Sequence, residues 1–146
     1  VDGVIYAASH SGVLAAIDQR SGQRVWARGL ASTQTPLVAG DAVFVVTVDG
    51  ELAAIERNTG QVFWVKQLAR FEDEKERKGR IAWTGPILAG GKLVLASSKG
   101  EAVIVNPGDG EITKTVRVGA PVYIAPVAAN GRVYLTTDDG RIVALR

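Results

Sequence analysis

Apolar residues arrive in short runs along this chain, and each run is broken by a polar turn that carries glycine. The stretch Thr35–Leu68 holds one complete unit of the pattern. Thr35–Ala39 predicts a short strand with Pro36 near its start, where a missing N–H does least harm. Gly40-Asp41 turns into Ala42–Thr47, rich in the β-branched and aromatic residues that favour a pleated sheet. Asp49-Gly50 then closes a tight hairpin, the dipeptide that accepts the positive φ angles of such turns. Glu51–Glu56 returns, Asn58-Thr59-Gly60 turns again, and Gln61–Leu68 is the fourth strand. The expected unit is a four-stranded antiparallel meander.

The same words recur. Gly12 leads through Leu14-Ala15-Ala16-Ile17-Asp18 to Ser21-Gly22-Gln23 and Trp26; Gly50 leads through Leu52-Ala53-Ala54-Ile55-Glu56 to Thr59-Gly60-Gln61 and Trp64. Gly100 opens a looser third copy through Val103-Ile104-Val105 to Asp109-Gly110-Glu111, and Gly140 opens a fourth, Ile142–Leu145. The anchor glycines stand 38, 50 and 40 residues apart. Four-stranded meanders at a period near 40 residues are the sequence form of β-propeller blades. A β-sandwich has no reason to repeat Leu-Ala-Ala-Ile at a fixed offset, and solenoid coils are usually shorter. The expectation is an all-β partial β-propeller of about three and a half blades, with pieces at 1–30, 35–68, 85–118 and 125–146. The first piece lacks a first strand and the last lacks a fourth. Since Val1 falls inside a repeat, the chain reads as part of something longer, and a charged insertion occupies 69–83.

Ala16–Trp26 resembles the repeat motif of quinoprotein-like (PQQ-repeat) propellers, Ala-x-Asp-x-x-Thr-Gly-x-x-x-Trp. Ala54–Trp64 matches it with Glu56 in the acidic place, which marks Asp18, Gly22, Trp26, Glu56, Gly60 and Trp64 as structural blade residues. The third copy departs, with Asn106, Pro107-Gly108, and Lys114 where the Trp would stand. Pro126–Arg146, Ser11–Gly22 and Gly79–Pro86 are most similar to the C-terminal half of the BamB family of outer-membrane barrel-assembly lipoproteins. That resemblance implies an eight-bladed ring closed by an N-terminal strand and anchored by an N-terminal lipid at the periplasmic face of the outer membrane. It implies a non-enzymatic interaction scaffold whose partners are other barrel-assembly proteins. The wider superfamily supplies the alternative, a fragment of a PQQ-dependent quinoprotein dehydrogenase.

Composition narrows the chemistry. A net charge of +2 from 17 basic and 15 acidic residues, with both signs scattered, leaves no footprint for nucleic acid. The absence of cysteine excludes disulfides, thiolate nucleophiles and Cys-ligated metals. No apolar stretch approaches the ~20 residues of a membrane helix. His10, in Ser9-His10-Ser11, reads as a solvated turn residue, since a triad needs an orienting acid as well. Asp41, Asp49, Asp109, Asp138 and Asp139 read as turn residues and not as calcium ligands. No catalytic residue, cofactor or metal site is assigned.

Trp26 and Trp64 are expected to pack between blades, and Lys114 to mark a third blade that packs differently. Acid precedes base in the insertion, so the Glu72–Glu76 and Glu74–Lys78 spacings suit a short helical turn. Its charges read first as a solvated face. A loop of this length is also where binding function tends to be placed, with Phe71, Arg77 and Arg80 as the partner-contact residues. Apolar faces at both ends and an unpaired strand edge predict self-association, with two chains completing one ring.

Overall fold

A computed structural model describes residues Val1–Arg146, and all of its regular elements are strands. Blade 1 has three, β1 (Val4–Ala8), β2 (Leu14–Asp18) and β3 (Arg24–Arg28). Blade 2 has four, β4 (Leu37–Ala39), β5 (Ala42–Val46), β6 (Glu51–Glu56) and β7 (Val62–Gln67). A separate hairpin, β8 (Phe71–Asp73) with β9 (Lys78–Arg80), follows. Blade 3 is β10 (Trp83–Ala89), β11 (Lys92–Ser97), β12 (Glu101–Val105) and β13 (Ile112–Arg117). Blade 4 is β14 (Val127–Ala129), β15 (Arg132–Thr136) and β16 (Ile142–Leu145). Each blade is a meander of hydrogen-bonded sequence neighbours, and all their pairings are antiparallel. The molecule is a partial β-propeller.

Two expectations need correction. Pro36 and Pro126 lie just outside β4 and β14, because proline has no N–H for the ladder. Pro86, by contrast, sits within β10, at a register shift between Thr84 and Ile87 that lifts it out of the pairing. The insertion is not helical: its charges ride on the β8–β9 hairpin, with Phe71 opposite Arg80 and Asp73 opposite Lys78.

Strand alternation explains how blades stack. In β5, Val43 and Val45 face blade 1, while Ala42, Phe44 and Val46 face blade 3. In β6, Ala53 and Ile55 face blade 1, while Leu52 and Ala54 face blade 3. Blade 2 is therefore covered on both sides, and all of β5 is buried. The seam between blades 2 and 3 gathers 12 buried apolar residues, against 7 between blades 1 and 2 and 5 between blades 3 and 4. Full burial of a Leu or Val contributes about 1.5–3 kcal/mol, so the middle seam carries more of the cohesion than either neighbour. Ala16, Ala54 and Ala96 keep the sheets close where larger side chains would hold them apart.

Candidate functional site

The blade motif is a latch between neighbours. Trp26 on β3 donates its indole N–H to the Arg57 carbonyl of blade 2 at 2.8 Å, and Trp64 on β7 donates to the Pro107 carbonyl of blade 3 at 3.0 Å. Each indole lies against the turn glycine of the next blade: a Cβ on Gly60 would come within 2.8 Å of Trp26, and one on Gly110 within 2.6 Å of Trp64. An aromatic ring on the same blade braces each indole, Tyr6 on β1 against Trp26 and Phe44 on β5 against Trp64, both at 6.0 Å and 44°. Lys114 at the third copy's Trp position is exposed and makes no such contact. An apolar cleft of about 490 Å³ opens at that third seam between Leu88, Val94, Ile104, Val133 and Leu145.

The motif's acidic position shapes the turn that receives the latch. Asp18 Oδ1 accepts the Ser21 and Arg20 N–H groups at 2.7 and 3.0 Å, and these bonds hold its carboxyl below the usual range. Hydrogen bonds from Thr59 and Asn58 do the same for Glu56. Asn106 Oδ1 accepts the Gly108 N–H at 3.0 Å, so the third copy keeps the turn without the charge. These hydrogen bonds give the motif's acidic position its role in shaping the turn.

The opposite end of the hairpins forms a common turn face. In three copies a hydroxyl closes the turn: Ser9, Thr47 and Thr137 accept the N–H of Val13, Glu51 and Arg141 at 3.2, 3.1 and 3.1 Å. In the remaining copy Ser97 donates to the Glu101 carbonyl at 3.2 Å. The segment between blades threads past these turns and ties them together. The Val48 N–H donates to the Ala31 carbonyl at 2.9 Å, and the Ser32 N–H to the Ser9 carbonyl at 3.1 Å. At the third seam Asp138 donates to Pro121 and Val122 to Ser97.

At the second seam the tie to the preceding blade is made by a side chain. Arg80 donates to the Val48 carbonyl at 3.0 Å and to Asp49 Oδ1 at 2.8 Å. The β8–β9 finger is thereby pinned to the turn face, beside a cavity of about 290 Å³ lined by Thr33, Gln34, Thr47, Arg80 and Trp83. Inside the finger, Glu74 Oε1 accepts the Phe71 and Arg70 N–H groups at 3.1 and 2.8 Å, which lowers its pKa. The half-buried Phe71 ring has the Arg70 guanidinium at 5.7 Å and that of Arg77 at 5.6 Å. The three expected contact residues thus differ in state: Phe71 and Arg77 meet each other, while Arg80 is engaged on blade 2.

His10 is exposed in its turn, and its neighbour Ser9 bonds Ser11 at 3.0 Å. No cluster of three or more His, Asp or Glu side chains could hold a metal. No helix is long and apolar enough to cross a membrane. Tyr123 and Ile124, 58% and 64% exposed, stand where the second copy has Thr33 and Gln34. They stand in the connection Gly119-Ala120-Pro121-Val122-Tyr123-Ile124-Ala125, which carries no charged residue and forms no strand.

The family described as outer membrane protein assembly factor BamB matches residues 1–66 and 66–146. The chain is 30% identical over 146 residues to the outer membrane protein assembly factor BamB of Salmonella typhimurium, covering 99% of this chain and 35% of that protein. It spans about a third of the length of the curated relatives it matches. The crystal structure of BamB from Moraxella catarrhalis superposes with a TM-score of 0.83 at 26% identity, over 99% of this chain and 40% of that one. A quinohemoprotein alcohol dehydrogenase from Pseudomonas putida HK5 superposes at 0.79 with 19% identity, over 92% of this chain and 27% of that one, a likeness of fold alone.

Proposed function

We propose, since this chain belongs to the family of the outer membrane protein assembly factor BamB, that it is part of a non-enzymatic scaffold for outer-membrane barrel assembly. The single observation that carries this is the family match, which runs through both halves of the chain. The geometry supports it: the seams are filled with aliphatic side chains, and the motif's polar groups are consumed in turns. The parent works at the periplasmic face of the outer membrane, held there by an N-terminal lipid, and engages other barrel-assembly proteins. Phe71, Arg77 and Arg80 form the partner-contact element, with Phe71 and Arg77 at the contact and Arg80 anchoring the finger.

Capture experiments with the full-length parent in envelope extracts test the proposal. Barrel-assembly proteins should be recovered, and Ala at positions 71, 77 and 80 together should weaken their recovery. Recovery of cytosolic proteins alone would overturn the scaffold reading. Saturable binding of pyrroloquinoline quinone with calcium, coupled to dye reduction, would replace it with an enzyme.

The 146 residues taken alone should self-associate. Ile5, Ala7, Ala15 and Ile17 of blade 1 hold the repeat positions of Val43, Val45, Ala53 and Ile55, the face blade 2 buries against blade 1. Tyr134, Thr136, Ile142 and Ala144 hold those of Phe44, Val46, Leu52 and Ala54, the face blade 2 buries against blade 3. The two outer faces are therefore complementary by construction, and a second copy fits head to tail.

A further inference from the structure

We infer that the Arg70–Phe71–Arg77 stack on the β8–β9 finger is a docking point for a carboxylate-bearing segment of a partner protein, with Arg77 making the contact. Most charges of the finger are engaged within the chain, which leaves Glu72, Lys75 and Arg77, and only Arg77 of these is held against an aromatic ring. Arg80 is 2.8 Å from Asp49, Arg70 lies 3.9 Å from the same carboxylate, and Lys78 pairs with Glu76 at 2.9 Å. Asp73 accepts the Glu76 N–H at 3.0 Å, and Glu74 accepts two backbone N–H groups. Arg77 forms no ion pair and no side-chain hydrogen bond; its partner is the Phe71 ring.

Backbone geometry makes that placement costly. Arg77 has φ of 55°, in the left-handed region, where a residue with a Cβ is disfavoured against glycine. Gly79, two residues on in β9, takes the same region with φ of 70° and has no Cβ to disfavour it. An arginine that strains the backbone and pairs with no acid of its own chain contributes little to folding. What the position gains is a preset guanidinium. Contact with the aromatic ring restrains the group and leaves N–H donors for a carboxylate, so less side-chain freedom is lost on binding.

The surroundings decide the kind of anion. Five basic residues, Arg70, Lys75, Arg77, Lys78 and Arg80, stand among four acids, Glu72, Asp73, Glu74 and Glu76, so a polyanion or an anionic bilayer gains little net attraction from the finger. A single Asp or Glu in an otherwise neutral segment can instead pair at contact range with the arginine held against the Phe71 ring.

This inference rests on the finger being the contact element, and the test separates the two. A short capped peptide with two glutamates in a neutral sequence, and its glutamine counterpart, are titrated into the full-length parent, with binding read by fluorescence polarisation. The glutamate peptide should bind and its counterpart should not. Arg77→Gly should weaken binding about tenfold, the size of one charge-assisted hydrogen-bonded contact, with an unchanged or higher melting temperature. Arg77→Lys, which keeps the charge and loses the fork, should recover only part of the binding. Equal binding of both peptides, undiminished binding by Arg77→Gly, or tighter binding to phosphatidylglycerol vesicles would each overturn the assignment. If the triple alanine variant lost its envelope partners while Arg77→Gly kept them, the finger would stand as a contact element and the carboxylate site would fall.

Discussion

Gly22 and Gly60 hold the same place in the repeat, with φ of 71° and 76°, yet only Gly60 faces an indole. Alanine at Gly22 should cost about 1–2 kcal/mol, the strain of a left-handed residue with open space around it. Alanine at Gly60 should cost roughly 2–4 kcal/mol, because its methyl also meets Trp26 and must push it off the seam. Urea denaturation of the two variants checks this, and equal losses would show that the indole yields freely. The motif's Gly and Trp were legible because two copies repeat them at one spacing. Their joint reason was not, since the glycine of one blade serves the tryptophan of the blade before it. The hydroxyls at Ser9, Thr47, Ser97 and Thr137 escaped notice for a plainer cause: Ser and Thr alternate there, so no single letter recurs.

Strands and turns carry the acid sensitivity. Asp18, Glu56, Glu74 and Asp139 all titrate below their ordinary values because they accept hydrogen bonds when ionised. A depressed folded pKa contributes stability above the unfolded value and loses it as pH falls through the folded one. Stability should therefore be level near neutrality and decline as pH drops through about 4 and below. Asp18→Asn combined with Glu56→Gln should flatten that decline in denaturant midpoints taken at neutral and acid pH, as Asn106 already does for the third turn. An unchanged slope would place the acid response elsewhere. At the same scale, Asp49→Ala removes the ion pair of Arg80, leaving only its bond to the Val48 carbonyl, and should raise hydrogen exchange across Phe71–Arg80. Global stability should shift by less than about 1 kcal/mol, since exposed ion pairs contribute little. A large global loss would make the finger part of the core. The strands of this finger were hidden in the sequence because four-residue charge spacing suits a helix as well as a hairpin whose charged side chains are solvated. The blade strands were legible because alternate burial on two faces demands near-continuous apolar runs such as Ala42–Val46.

At the scale of the molecule, both end blades present exposed apolar residues where a blade would continue the stack. Ile5 is 50% exposed on blade 1, and Val127 and Ile142 are 60% and 74% exposed on blade 4. Ile5→Glu or Ile142→Glu should convert a self-associated form of these 146 residues to monomer in sedimentation. A wild-type chain that is monomeric at every concentration would refute the face-to-face match. The repeat made these ends visible in the sequence, because a blade whose neighbour is absent still carries the residues meant for it.

The missing third latch has a thermodynamic consequence of its own. In a linear array each unit is held only by its nearest neighbours, so the weakest junction sets where cooperativity breaks. Two junctions here are bolted by an indole, and the third has an exposed Lys114 over the lightest apolar packing of the three. Heating should therefore melt blade 4 as a separate early transition, with a calorimetric enthalpy well below that of the remaining three. Amide protection should mirror that order, fading first in Arg132–Thr136 and last in Ala42–Val46.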